Sequence, residues 1–315
     1  AGDGDQITFN LSFGNETITI SSELSLTESL IIEGSNSSGS GTAVTVQVTT
    51  PGTSTFRVFN INASGKTITL SNMTIKGGDI SGNGNVAAGF GGGIYLAAGT
   101  LTLEKATVSN SQAYNGGGIY VGSATLNLNN SSVISNTIDE NISGAGAGIY
   151  TSGTTNITNS TIALNTGPDY GGGIFINSGT TTIRDATISQ NKTNGTNDYG
   201  GGIYHQNGTL DIKNTIIANN YLLNVSSATN GSDYYQNSGT LTNNDYNVVG
   251  YSDDKFQNDN DIWYDFNAGY WTNVNTGANI GTIDLATSLS YSGGFTETLP
   301  ITGGGFLSAS EGAGS

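Results

Sequence analysis

A short phrase, glycine-rich and then apolar, recurs along this chain and limits what the chain can become. It reads Gly91-Gly-Gly-Ile-Tyr95, Gly116-Gly-Gly-Ile-Tyr120, Gly146-Ala-Gly-Ile-Tyr150, Gly171-Gly-Gly-Ile-Phe175 and Gly200-Gly-Gly-Ile-Tyr204. Its isoleucines, Ile94, Ile119, Ile149, Ile174 and Ile203, lie 25, 30, 25 and 29 residues apart. Self-similarity at such a period marks a solenoid: each repeat is one unit that cannot bury its apolar face alone, and stacking supplies the cover.

Two further phrases follow each glycine run. The second is Thr100-Leu-Thr-Leu103, Thr125-Leu-Asn-Leu128, Thr154-Thr-Asn-Ile157, Thr180-Thr-Thr-Ile183 and Thr209-Leu-Asp-Ile212. The third is Thr107-Val-Ser109, Ser132-Val-Ile134, Thr161-Ile-Ala163, Thr187-Ile-Ser189 and Thr215-Ile-Ile217. Successive strand side chains point to opposite faces, so Leu101 and Leu103 face inward while Thr100 and Thr102 face out. The expected fold is all-β: a right-handed parallel β-helix with three short strands per coil, three parallel sheets around one apolar column. The spacing varies between the third phrase and the next glycine run, where Thr137–Ser143 and Lys192–Tyr199 read as corner loops. Insertions there leave the stack intact. The glycine triplets predict a tight corner, with positive φ or close backbone approach.

Asn136, Asn165, Asn191 and Asn219 each lie four residues after the Thr or Ser that opens the third phrase. An inward ladder of asparagine amides, each bonded to the next coil, accounts for that recurrence. In the first unit Ser111 holds the position and Asn110 falls one place early, so the ladder starts imperfectly. A weaker form of the same pattern, from Gln6-Ile-Thr-Phe9 through Thr67-Ile-Thr-Leu70, extends the helix to the N-terminal side. The expectation is one solenoid over residues 1–250, about eleven coils and about 50 Å long at the interstrand spacing. Residues 251–315 lose the repeat, hold both tryptophans, Trp263 and Trp271, and read as a C-terminal cap over the last coil.

These units resemble the bacterial surface β-helix proteins of the pectin-lyase-like superfamily, especially those with the choice-of-anchor Q region. More distantly they resemble the repeats of chlamydial polymorphic outer-membrane proteins. Asp5-Gln-Ile-Thr-Phe9 through Leu30-Ile-Ile-Glu-Gly34 is similar to the opening of that family's helix. Gly239–Gly250 and Gly293–Pro300 are similar to its closing segment. The resemblance implies the fold; for activity its motifs are weak. The ending Gly303–Gly314 reads as looser than the family's small-residue ending, without a sorting signal or anchor helix, and attachment to a cell wall by the chain itself is not expected.

Composition narrows the function. The formal net charge is −16, yet only 10% of residues are charged and Lys plus Arg number 8. No basic stripe exists to neutralise phosphates, so nucleic acid is a poor partner. No apolar run approaches the ~18–20 residues of a membrane span, and no membrane insertion is expected. Cysteine is absent, which excludes disulfides and thiolate metal sites. The first residue is Ala1, read as the start of a secreted chain after removal of a signal peptide, with an extracellular or cell-surface location.

Chemistry is sparse. A lyase on such a fold needs Arg or Lys beside carboxylates, and a hydrolase needs converging Asp. Only Arg184-Asp185 with Asp211 and Lys213 sit at related places on successive coils, and a surface ion pair accounts for them. The single histidine, His205, falls where other coils carry Leu96, Val121, Thr151 and Ile176, which suits a hydrogen-bonded core filler. No catalytic residue is assigned and no cofactor is required. Asp253, Asp254, Asp259 and Asp261 are the candidate Ca²⁺ ligands, in a stretch without the glycine spacing of a calcium loop. Tyr95, Tyr120, Tyr150, Phe175 and Tyr204 follow the inward isoleucines, so they face outward and could stack on sugar rings or a neighbouring subunit. Outward Thr-x-Thr pairs raise ice binding, but Thr102, Asn127, Asn156, Thr182 and Asp211 are too irregular for a lattice match. Fifteen Asn-x-Ser/Thr sequons occur, with Asn15, Asn62, Asn72, Asn141 and Asn224 among the glycosylation candidates. The expected protein is a structural or adhesive surface component that polymerises head to tail with itself. The alternative is a polysaccharide-binding or polysaccharide-cleaving β-helix with glycans as partners.

Overall fold

The structure is a computed structural model. It describes residues 3–9, 16–36, 44–50, 55–81, 89–139, 143–195, 198–223, 231–244 and 246–250, together with the strands Ile262–Asp265, Tyr270–Asn273 and Asn279–Gly281. The described residues form an all-β parallel solenoid.

The glycine phrase and the second phrase are one continuous strand in Phe59–Ser71 and in Ile94–Glu104. In later coils they separate, as in Ile119–Val121 and Thr125–Asn129, but both remain in a single 15-stranded sheet that folds across the corner. The third phrase builds a 12-stranded sheet running from Thr17–Ile20 to Asn279–Gly281. A fourth ladder was not foreseen. Gln112–Ala113, Thr137–Ile138, Thr166–Gly167, Lys192–Thr193 and Tyr221–Leu222 pair in parallel as a five-stranded sheet. Two residues are too few to show an alternation, so only stacking reveals these strands.

The isoleucines stack as the repeat requires. Ile94 pairs with Ile119, Ile119 with Ile149, Ile149 with Ile174 and Ile174 with Ile203, and all five are fully buried. Leu101 and Leu103 are buried while Thr100 and Thr102 are not. With the inward residues of the third phrase, such as Val108, Val133 and Ile162, these side chains form one continuous core. Each such aliphatic residue contributes about 1.5–3 kcal/mol by burial.

The solenoid is shorter than the eleven coils expected. The third-phrase sheet has nine parallel rungs from Thr17–Ile20 to Val248–Val249, a stack of about 40 Å at the rung spacing. Several N-terminal phrases share coils that the sequence suggested were separate: Leu30–Asn36 and Val44–Val48 lie on one turn. Beyond residue 250, Ile262–Asp265 adds one more parallel rung beside Val248–Val249. The chain then reverses, since Tyr270–Asn273 and Asn279–Gly281 pair antiparallel.

The glycine triplet does three separate things. Gly91, Gly116, Gly146, Gly171 and Gly200 all have φ between +56° and +68°, and a Cβ there would strike the carbonyl of the isoleucine three residues on. The second residue lies against one carbonyl of its own coil and one of the next, as Gly117 does against Thr137 and Ala147. The third lies over an asparagine of its own coil: a Cβ on Gly118 would sit 2.8 Å from Asn136 Nδ2.

Candidate functional site

The asparagine ladder runs inside the coil and is fully buried at Asn136, Asn165 and Asn191. Asn136 Nδ2 donates to the Val108 carbonyl at 3.0 Å and to Asn165 Oδ1 at 3.1 Å. Asn165 Nδ2 donates to Val133 O at 2.9 Å and Asn191 Oδ1 at 2.9 Å. Ser111 opens the ladder as expected, its N–H donating to Asn136 Oδ1.

The fourth rung is Asn220, not Asn219. Asn191 Nδ2 donates to Asn220 Oδ1 at 2.9 Å, whereas Asn219 holds the left-handed corner at φ +61°. The one-residue error arises at Thr215. Ile216, not Thr215, pairs with Thr187, and Thr215 takes the corner place held by Ser131 and Ser160 in earlier coils. Those serines form a ladder of their own, Ser131 N–H donating to Ser160 Oγ at 3.1 Å. The asparagine ladder then ends on Asp233, whose Oδ1 accepts from Asn220 N–H and Nδ2, both at 2.8 Å. Asp233 stands where the third glycine would be, because Ile203 pairs with Tyr234.

The aromatic column stacks as a pile of rings. Tyr120 lies 4.8 Å from Tyr150 at 9°, Tyr150 lies 5.1 Å from Phe175 at 17°, and Phe175 lies 5.2 Å from Tyr204 at 2°. Tyr95 lies 5.5 Å from Tyr120, and Tyr235 extends the pile beyond Tyr204. Parallel rings at rung spacing cover one another's faces, so the column presents ring edges and hydroxyls outward. The corner loops add a second row: Phe90 stacks on Tyr120 at 4.6 Å, and Tyr170 and Tyr199 lean on Tyr204. Phe175 and Tyr204 are thereby buried, at 7% exposure each, while Tyr95, Tyr120 and Tyr150 are partly buried. Burial pushes the Tyr120 phenol up to about 12, with Tyr150 and Tyr95 adding to it, and pushes Tyr204 up to about 12. At the N-terminal end Arg57 covers Tyr95, its guanidinium carbon 4.9 Å from the ring centre, and pairs with Glu23 at 3.4 Å.

His205 is inward and fully buried, in register with Ile176. Its Nδ1 lies 3.1 Å from Tyr234 Oη and its Nε2 lies 3.3 Å from Gly208 O. Burial lowers its pKa below the usual imidazole value. It is a hydrogen-bonded filler. Arg184 Nη2 pairs with Asp211 Oδ2 at 2.5 Å on the outer face, both side chains about a quarter to a third exposed. Asp185 takes no part in that pair and accepts instead from Asn214 Nδ2.

The candidate calcium ligands Asp253, Asp254, Asp259 and Asp261 lie outside the described residues, as do the sequon asparagines Asn15, Asn141 and Asn224. Asn62 is exposed on its strand. Asn72 is occupied: its Nδ2 donates to Glu33 Oε1 at 2.7 Å, in a left-handed corner.

A threonine ladder was not read from the sequence. Thr67, Thr100, Thr125, Thr154, Thr180, Thr209 and Thr240 pair in one unbroken outward column. The signal was the invariant Thr that opens the second phrase. Beside it an open groove of about 470 Å³ crosses several coils, with Ser64, Lys66, Ala98, Gly99, Ser123 and Gly153 among its walls. Lys66 at its rim pairs with Asp3 at 2.8 Å and Glu28 at 3.1 Å. Among the described residues no helix is long and apolar enough to cross a membrane. No protein-family model, curated protein or solved structure matches this chain.

Proposed function

We propose that this protein is an extracellular structural or adhesive element that associates end to end with copies of itself. The observation that carries the reading is the end of the apolar column. Ile7 pairs with Ile32 and Ile18 pairs with Val46, so both occupy inward positions. Their partners are buried, yet Ile7 is 38% and Ile18 37% exposed. A first rung that leaves core residues in water and, among the described residues, one strand edge open is a template for another chain. A head-to-tail contact of this kind is heterologous and generates filaments unless the rotation closes.

The ladders support the same reading. Amides, hydroxyls and rings are spent on coil-to-coil contacts, which suits a mechanical element. The resemblance of the glycine-phrase units to bacterial surface β-helix proteins is consistent with it. Electron microscopy of the purified protein tests the reading: filaments are expected, and Ile7→Asp with Ile18→Asp should dissolve them while the far-UV β signature persists. A protein that stays monomeric at high concentration would refute it.

Glycan binding is the second reading, favoured by the hydroxyl-lined groove beside the threonine ladder. Its test is a glycan array with Thr100→Val and Thr125→Val as controls. Retention of a polysaccharide that both substitutions weaken would favour it, and cleavage of that polysaccharide would make the protein an enzyme.

A further inference from the structure

An asparagine followed by glycine can react with its own backbone. The glycine nitrogen attacks the asparagine carboxamide, and no Cβ shields that nitrogen. The chain holds five such pairs, at Asn83, Asn115, Asn194, Asn207 and Asn230. Asn83 and Asn230 lie outside the described residues. The coil treats the other three differently.

Gly116 N–H donates to the Ala145 carbonyl at 3.1 Å, and Asn115 Oδ1 accepts from Ala145 N–H at 2.8 Å. One residue of the next coil thus holds both reacting groups. Gly195 N–H donates to Asp198 Oδ1 at 2.8 Å and to the Pro168 carbonyl. The point is crowded besides, since a Cβ on Gly195 would strike Asp169 Oδ1 of the adjacent coil. A nitrogen whose proton is engaged between coils cannot lose that proton or turn from its acceptor unless the rung opens.

Gly208 differs. It forms the corner between Ile203–His205 and Thr209–Lys213, with φ +86°. Among the described residues its N–H has no acceptor, although the amides on both sides are engaged. Asn207 N–H donates to the Ile176 carbonyl at 3.3 Å and Thr209 N–H to the Gly179 carbonyl at 2.8 Å. Asn207 is exposed, and its carboxamide makes no hydrogen bond to the described residues. Gly179 and Gly239 hold the same corner on the adjacent coils, at φ +80° and +89°. They follow Ser178 and Ser238, whose hydroxyls donate to Ser152 O at 3.3 Å and Gln206 O at 2.5 Å. Of these three corners, the middle one sets an unengaged carboxamide beside an unengaged amide nitrogen.

We infer that Asn207 is a deamidation site, selected by the fold from among the Asn-Gly pairs. Gly208 N bonds to Asn207 Cγ and its proton passes to hydroxide. The Cγ–Nδ2 bond breaks, ammonia leaves, and a five-membered succinimide closes. Water then opens the ring, so the sum is amide plus water giving acid plus ammonia, with no redox change. Opening at Cγ gives an aspartate. Opening at the backbone carbonyl gives an isoaspartate, whose main chain is one methylene longer. Either product adds a negative charge beside the threonine ladder at Thr209. The isoaspartate also displaces the Gly208 carbonyl, which accepts from Thr240 N–H at 2.8 Å and lies 3.3 Å from His205 Nε2. That form loosens the contact between this coil and the next.

The test ages folded, full-length protein at mildly alkaline pH and maps each amide-to-acid gain in mass by peptide fragmentation. Because Asn207-Gly-Thr209 is also a sequon, the protein is made in a host that does not glycosylate. The same protein aged in denaturant gives the reference rate at each site. Relative to that reference, Asn115 and Asn194 should be slowed about ten-fold or more beyond Asn207, because they wait on local opening of the coil. Equal slowing at the three sites, or greater slowing at Asn207, overturns the assignment. Thermal midpoints read the consequence: aged wild-type protein should melt below fresh protein, and aged Asn207→Ser, which copies the corner residue of both adjacent coils, should not. A midpoint that holds while Asn207 converts overturns the loosening of the corner.

Discussion

Asn165 Oδ1 accepts two hydrogen bonds from Asn136, one from its backbone N–H at 2.9 Å and one from its side-chain Nδ2 at 3.1 Å. One buried oxygen thus closes both the main chain and the side chain of the coil beside it. The same relation recurs from Asn165 to Asn191 and from Asn191 to Asn220.

Asn165→Ala should therefore cost about 3 kcal/mol or more, because it strands the Asn136 N–H and the Val133 carbonyl inside the core. Denaturant unfolding measures the loss. A change below about 1 kcal/mol would mean that water enters and replaces the amide.

Asn220 and Asn219 should respond oppositely. Asn220→Ala breaks the ladder and is expected to cost about 2–3 kcal/mol. Asn219→Gly keeps the left-handed corner open to a residue that adopts it freely and should be near neutral. Equal destabilisation at both positions would refute the register described above.

Thr181 is fully buried, facing the core, and its hydroxyl has no partner. Thr181→Val keeps the shape and removes the unsatisfied group, so a gain of about 1 kcal/mol is expected. A loss in thermal or denaturant midpoint would show that a bound water serves the hydroxyl.

Two pH limbs follow from buried titratable groups. His205 has a folded pKa below its unfolded value near 6.5, so the unfolded chain binds the extra proton and stability falls as pH drops below about 6.5. His205→Leu should flatten that acid limb. Tyr120 and Tyr204 have folded values of about 12 against about 10 unfolded. Their contribution is intact below about pH 10 and is lost as pH rises toward 12. Tyrosinate absorbance followed with β-sheet signal checks this: the two should change together, and Tyr120→Phe should delay the loss. An acid limb unaltered in His205→Leu would sink the first statement.

The sequence alone determined the repeat, the inward isoleucine column and the alternation of Leu101 with Thr102. A period of two within strands and about 25–30 between them leaves one way to bury the apolar residues. It also placed His205 in the core and opened the asparagine ladder correctly at Ser111. Tertiary pairing decided the rest. The doublet Asn219-Asn220 could be resolved only by which residue stands opposite Thr187. That the outward aromatics form one stacked pile depends on ring orientation and not on position. The carboxylates of Asp169 and Asp198 are 29 residues apart in the chain. Asp198 reaches Gly195 within its own loop; Asp169 is brought there only by the coil, because loops of unequal length return to the same rung.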